Sequence, residues 1–186
     1  MAKTDFFSGA TKEWSTDIYS ELLRYRYKVF VQKLGWNVPC SHGMEFDQFD
    51  REDTIHIGAR DGAGSMRAYS RLLPTVKPYL LEEVFPQLMD GKSLPCSDDT
   101  WELSRFTAED MRARSPASSG AHMSPMSKEL LNQSIEEAAN RGAKQIIFVA
   151  SPGLTLLMKR ADFNVHCIGR PRMVDGHPVV AASIKF

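Results

Sequence analysis

Thr54-Ile55-His56-Ile57-Gly58-Ala59-Arg60, the tetrapeptide Asp61-Gly62-Ala63-Gly64, and Ser65-Met66-Arg67-Ala68-Tyr69-Ser70-Arg71-Leu72-Leu73 decide the fold of this chain. Two β-rich segments around an Asp-Gly turn predict a hairpin, because such turns supply the positive φ that a tight reversal needs. The sheet therefore starts antiparallel. Downstream, Pro74 and Pro78 break the chain, and a short apolar helix is expected around Leu80 to Leu88, limited by Pro86. Gly91 to Asp99 reads as polar loop, Trp101 to Thr107 as a third strand, and Arg112 to His122, rich in Ser, Ala, Gly and Arg, as a mobile surface loop. Ser124-Pro125 opens the strongest helix: a cap, a proline at the first helical position, Met126, Leu130, Leu131, Ile135 and Ala138 at helical spacing, and Gly142 as the stop. The apolar run Lys144 to Ala150 predicts a strand covered on both faces, and Leu154 to Ala161 another helix. Val165 to Arg170 and Pro178 to Ile184 are expected to close the sheet, with Asp175-Gly176 in the turn between them. Strands that begin antiparallel and then alternate with helices imply an α/β fold: a mixed sheet with helices on both faces.

Upstream of the hairpin, Thr16 to Leu34 reads as an amphipathic helix capped by Thr16 or Asp17, with Ile18, Leu22, Leu23, Val29 and Phe30 on its apolar side. At roughly 100° per residue, Arg26 falls inside that apolar arc, about 40° from Leu22 and from Phe30. A guanidinium pointing inward needs carboxylates, and Glu45-Phe46-Asp47-Gln48-Phe49-Asp50 supplies three a short loop later. Arg26 is either a structural ion pair fixing helix to loop or part of a binding site.

The chain has 186 residues with 42% hydrophobic content, enough for one full core and too short for two, so a single domain spanning 1–186 is expected. Lys plus Arg total 23 and Asp plus Glu total 23, which leaves no net field to draw nucleic acid or an anionic membrane. Cys40, Cys96 and Cys167 are far apart and odd in number, which argues for reduced thiols rather than a disulfide framework or zinc site. Met1 to Trp14 lacks an apolar leader core, and no window approaches a membrane span, so a cytoplasmic protein is expected.

Trp101-Glu102-Leu103-Ser104-Arg105-Phe106 places an acid, a hydroxyl and a base inside an otherwise apolar strand. Strict alternation puts Glu102, Ser104 and Phe106 on one face and Trp101, Leu103 and Arg105 on the other. Glu102 and Arg105 can share a site only across a bulge or a splayed cleft, and such an irregularity is predicted here. Arg71 is a second arginine at a strand end, and Phe30 and Trp36 either wall a planar ligand or cover the core. Three arginines (Arg26, Arg71, Arg105) with four acids (Glu45, Asp47, Asp50, Glu102) suit a zwitterionic ligand: carboxylates for an ammonium, arginines for a carboxylate, aromatics for a ring. No phosphate-cradling glycine loop, nucleophile elbow or metal-ligand cluster is present in the sequence.

These residues, as Arg26-x-x-x-Phe30, Gly35-Trp36, Glu45-x-Asp47-x-x-Asp50, Arg71-Leu72-Leu73-Pro74-Thr75, Pro78-Tyr79-Leu80-Leu81 and Trp101-Glu102-Leu103-Ser104-Arg105-Phe106, closely resemble the acyl-homoserine lactone synthases, which make quorum-sensing autoinducers. The match runs in order and spacing over about residues 20 to 110. The resemblance implies an N-acetyltransferase-like fold with a cleft between two central strands. It also implies a reaction without cofactor or metal: the amine of S-adenosylmethionine is acylated by a thioester, and lactone formation releases methylthioadenosine. Acyl carrier protein is the expected donor, with acyl-CoA the alternative. An ammonium cannot attack a thioester, so a carboxylate must take its proton; the resemblance points to Glu102, with Asp47 positioning the amine and Arg105 completing the catalytic group. Arg26, Phe30, Trp36, Asp47, Asp50, Arg71 and Arg105 would hold S-adenosylmethionine, with residues 1–50 a mobile segment that covers it.

The acyl pocket is expected to draw on Phe106, Met123, Met126, Leu130 and Phe148, all of which also suit a plain core. Family members that make 3-oxoacyl products tend to carry threonine on the strand corresponding to Ile146 to Ser151; Phe148 or its neighbours stand there, so an unsubstituted acyl chain is favoured. Lys159 and Arg160 resemble part of a docking patch for the acidic carrier protein. Two other readings are an N-acetyltransferase for a different amine, whose pyrophosphate loop is missing before Ser124, and a non-catalytic sensor of an adenosine-containing ligand.

Overall fold

The computed structural model describes residues 4–108 and 122–186, so the stretch read as a mobile loop lies outside the described residues except for His122. The chain enters as strand β1 (Thr4–Ala10), makes a single 3-10 turn at Thr11–Glu13 and forms helix α1 (Thr16–Arg26), which runs on as a π-helical stretch, Tyr27–Lys33. A small ladder of β2 (Cys40–Ser41) and β3 (Met44–Glu45) precedes the predicted hairpin, β4 (Ile55–Asp61) and β5 (Met66–Pro74). Then come α2 (Leu80–Glu83), a 3-10 turn at Pro86–Met89, β6 (Thr100–Thr107), α3 (Pro125–Asn140), β7 (Gln145–Ala150), α4 (Pro152–Arg160), β8 (Val165–Cys167), β9 (Arg172–Val174) and β10 (His177–Lys185).

The sheet order is β1-β4-β5-β6-β7-β10-β8, with β9 also on β10. Every pairing is antiparallel except that of β6 with β7. That parallel pair is short. It joins Thr100 to Gln145, Trp101 to Ile146 and Glu102 to Ile147, after which the two strands part. The splay sits in the middle of the sheet and is the predicted cleft. The fold is the expected N-acetyltransferase-like mixed sheet.

Alternation along β5 shows how the faces divide. Ala68 and Leu72 pack with Leu103, Leu130, Ile146 and Phe148 beneath α3 and α4, while Tyr69 packs with Leu22, Val29 and Phe30 beneath α1. Leu73, Phe49, Leu81 and Ile147 continue that second face toward α2. The charged residues lie on the second face, between α1 and α2.

Several local expectations are corrected. The N-terminal strand β1 was not anticipated; it pairs with β4 over its whole length, and the Phe7 ring presses so close to Gly58 that a Cβ there would meet it at 2.4 Å. The helix cap is Ser15, one residue earlier than expected, its hydroxyl accepting the Ile18 amide. Asp175-Gly176 turns β9 into β10 rather than β8 into β10. The Leu80 to Leu88 helix is split between α2 and the turn at Pro86, where proline supplies no amide to carry a helix through. The caps Ser124 and Ser151, each before a proline at the helix start, behave as the sequence predicts for the first and by the same rule for the second.

Candidate active site

Arg26, on the last turn of α1, is fully buried, as its place in the apolar arc requires. Its Nε donates to Glu45 Oε2 at 2.6 Å, and its two Nη atoms grip Asp50 at 2.7 and 3.0 Å. Asp50 also accepts from Arg71 Nη1 at 2.9 Å, and Arg71 forks onto Asp47 at 2.6 and 3.0 Å. Asp47 accepts from Arg105 Nη2 at 2.9 Å, and Arg105 returns to Glu45 at 2.9 Å. The result is a closed ring, Arg26-Asp50-Arg71-Asp47-Arg105-Glu45, in which each acid bridges two arginines. Three positive and three negative charges cancel, and each guanidinium donates to two carboxylates, so the burial of so many charges is tolerated. Arg71 is not the solvated strand-end residue that its position also allowed; it is fully buried and donates from Nε to Ser104 Oγ at 3.0 Å.

Arg105 reaches this ring because β6 bulges. Arg71 pairs with Ser104 and Tyr69 with Thr107, so two residues of β6, Arg105 and Phe106, stand opposite the single Ser70 of β5, and Arg105 takes a left-handed φ of 52°. Ser104 and Arg105 therefore share the charged face with Glu102. Phe106 is displaced from it and packs with Trp101 and Leu103 against the other face, which reverses its assignment by simple alternation.

Burial raises the Glu102 carboxyl to about 7, against the opposing pull of the amides of Leu81 and Leu80, which donate to its two oxygens at 2.7 Å each. Glu102 is the last residue of β6 paired to β7, at the point where the splay opens. Burial also works against Asp50 and Glu45, yet the arginines win and hold both below the usual carboxylate range.

Phe30 and Trp36 stack with centroids 4.8 Å apart, and the Arg105 guanidinium lies 5.6 Å from one ring and 5.8 Å from the other. Phe30 is buried and serves the core; Trp36 is 45% exposed and offers a ring face to solvent. The core-cover reading thus holds for Phe30, whereas Trp36 is largely outside the core.

The predicted acyl-pocket residues come together on the opposite face of the splay: Leu130 and Phe148 are buried in one cluster, and Phe106, Met123 and Met126 pack against it. Lys159 and Arg160 are exposed at the end of α4, away from the ring. Sequence reasoning did not single out Ser104 as a partner of Arg71, nor His56 and Tyr69, which lie beside Arg26 on the same face. Glu45 was counted among the acids without a place in the site, although it closes the ring.

A mixed sheet whose two central strands run parallel and then part is the N-acyltransferase class of fold. An acyl-CoA N-acyltransferase from Pseudomonas aeruginosa, 15% identical, shares the fold at a TM-score of 0.67 over 97% of this chain and 99% of its own. Within the class, residues 10–186 match the autoinducer synthase family model. The acyl-homoserine-lactone synthase of Acinetobacter nosocomialis is 42% identical over 97% of this chain and 98% of its own. TofI, solved in a ternary complex with an inhibitor and MTA, is 38% identical with a TM-score of 0.84, covering 97% of this chain and 91% of its own. The CoA-dependent synthase BjaI, solved with SAM and isopentyl-CoA, is 26% identical with a TM-score of 0.82, covering 100% and 83%. The chain belongs to the autoinducer synthase family and is an acyltransferase, an acyl-homoserine-lactone synthase.

Proposed function

We propose that this synthase transfers an acyl group from acyl carrier protein to the amine of S-adenosylmethionine and then closes the lactone, releasing methylthioadenosine. The observation that carries the reading is the placement of Glu102: a buried carboxylate, raised to about 7, where β6 and β7 part, between a charged ring on one face and an apolar cluster on the other. Glu102 takes the ammonium proton, directly or through water, which its raised pKa suits near neutral pH. Asp47 positions the amine. Arg71 and Arg105 hold the substrate carboxylate, Arg26 and Asp50 fix the ring, and Phe30 and Trp36 wall the adenosine side. Ring closure follows when the methionine carboxylate attacks its own γ-carbon in a folded conformer, with sulfonium as the leaving group.

The acyl chain lies among Phe106, Met123, Met126, Leu130 and Phe148; the missing threonine on β7 favours an unsubstituted chain, and the bulk of Phe148 a shorter one. Lys159 and Arg160 dock the acidic carrier. Of the N-terminal region, residues 4–10 are already built into the sheet as β1, so closure over the substrate falls on residues 32–43, all exposed except half-buried Val38. Protease protection of that segment by S-adenosylmethionine tests this part.

The central test is mass spectrometry of products after incubation with S-adenosylmethionine and parallel panels of carrier-protein and CoA thioesters. Lactone from carrier-protein donors at a higher kcat/KM is expected. Lactone from CoA donors alone would overturn the donor assignment, and no lactone from any donor would overturn the reaction.

A further inference from the structure

His56 on β4 is fully buried and takes no part in the charged ring. Its Nδ1 lies 2.7 Å from the Tyr69 hydroxyl on β5, its Nε2 lies 2.8 Å from Thr11 Oγ1, and Tyr19 covers its ring edge-on at 5.4 Å. Arg26 Nη1 donates to the same Tyr69 oxygen at 3.4 Å, and the Thr11 hydroxyl donates to the Thr54 carbonyl at 3.3 Å. All four contacts are satisfied at once by one arrangement of protons. Arg26 donates to Tyr69, Tyr69 donates to Nδ1, Nε2–H donates to Thr11, and Thr11 donates to Thr54. A proton on Nδ1 instead would leave the Tyr69 hydroxyl hydrogen without its acceptor, a costly state in a buried site.

The chain of bonds has a mechanical meaning. The carboxylates that grip Arg26 come from residues 45 and 50, in the segment before the sheet hairpin, whereas the bond to Tyr69 runs to the sheet itself. We propose that His56 and Tyr69 are positioning residues that fix the Arg26 guanidinium, the corner of the ring carried by α1, against the hairpin β4–β5, to which Arg71 already joins the opposite corner. This rests on the reading of Arg26 as part of the S-adenosylmethionine site. Burial pushes the His56 imidazole down to about 3, so it stays a neutral acceptor over the working pH range. The charges facing it are Asp50, Arg26 and Arg71.

The test is steady-state kinetics on Tyr69→Phe, which deletes only the hydroxyl, and His56→Ala. Loss of one hydrogen bond to a charged group predicts an S-adenosylmethionine KM raised about tenfold, with the acyl-donor KM unchanged. A merely structural role would lower thermal stability and active fraction and leave both KM values alone, which would overturn the proposal. So would an equal rise in both. Arg26→Lys, which keeps the charge, separates the two ideas: an unchanged S-adenosylmethionine KM in that variant removes the underlying reading, whatever Tyr69→Phe does. In the wild-type enzyme, nitrogen NMR of His56 is expected to show the Nε2-protonated neutral ring from pH 5 to 8; an imidazolium in that range would overturn the arrangement.

Discussion

Glu102 accepts the backbone amide of Leu81 at 2.7 Å, and with the adjacent amide of Leu80 it ties the first turn of α2 to the strand that opens the splay. The same carboxyl is both this anchor and the proposed base.

Its raised pKa gives two pH effects of opposite sign. As a base Glu102 must be ionised, so kcat/KM is expected to rise with pH through about 7. For stability, the folded state holds a proton between about 4.5 and about 7 that the unfolded state releases, so its contribution is complete below the lower value and is lost as pH climbs to the upper one. The loss amounts to about 3 kcal/mol. Urea unfolding from pH 5 to 8 checks it: the decline should be present in the native sequence and absent from Glu102→Gln.

Glu45 and Asp50 act in a different window. Their depressed values mean that stability is present above the ordinary carboxylate pKa and is lost as pH falls below about 4. Glu45→Gln leaves Arg26 and Arg105 sharing one acid fewer in a buried site, at a cost of about 3–5 kcal/mol. Thermal unfolding should show that loss, and Glu45→Gln should also lack part of the acid transition; a variant as stable as the parent would mean that the ring is not closed in solution.

At Arg105 the backbone itself makes a prediction. Its φ of 52° is unfavourable for any side chain with a Cβ and easy for glycine. Arg105→Gly and Arg105→Ala both lose the ion pairs, so their difference reports the backbone alone: glycine should be the more stable by about 1 kcal/mol. Equal stability would indicate that the bulge relaxes once the guanidinium is gone.

Phe148→Leu shortens a side chain buried among Leu130, Phe106 and the two methionines of α3 and its approach. Product analysis should show a shift toward longer acyl chains, with a stability cost of about 1–2 kcal/mol for the lost packing. An unchanged product spectrum would assign Phe148 to core packing only.

Much of this was legible in the sequence where local chemistry is strong. The Asp61-Gly62 turn, the Ser124-Pro125 start and the apolar run before Ala150 each carry their own signal. Arg26 was legible as well, because a charge inside an apolar helical arc must be answered, and the acids at 45, 47 and 50 were near enough to answer it. What was hidden depends on register. β1 is a short edge strand whose partner lies some fifty residues away, and its Asp5-Phe6-Phe7 has no turn beside it to announce a hairpin. The face of Phe106 follows from one bulge, which was foreseen in kind but whose effect on the residues beyond it was not. His56 and Tyr69 look like ordinary strand residues until the β4–β5 register sets them diagonally on one face, His56 opposite Arg71 and Tyr69 opposite Gly58.

The bulge in β6 also constrains length. Up to Ser104 the strand keeps one phase, and from Phe106 onward it keeps the other, with Arg105 as the extra residue between them. Point changes on either side alter one contact each. Removing a single residue at that step would restore regular pairing while taking either Ser104 or Arg105 off the charged face. Adding one would turn the following apolar side chain toward the arginines. This short stretch should therefore accept replacements far more readily than insertions or deletions.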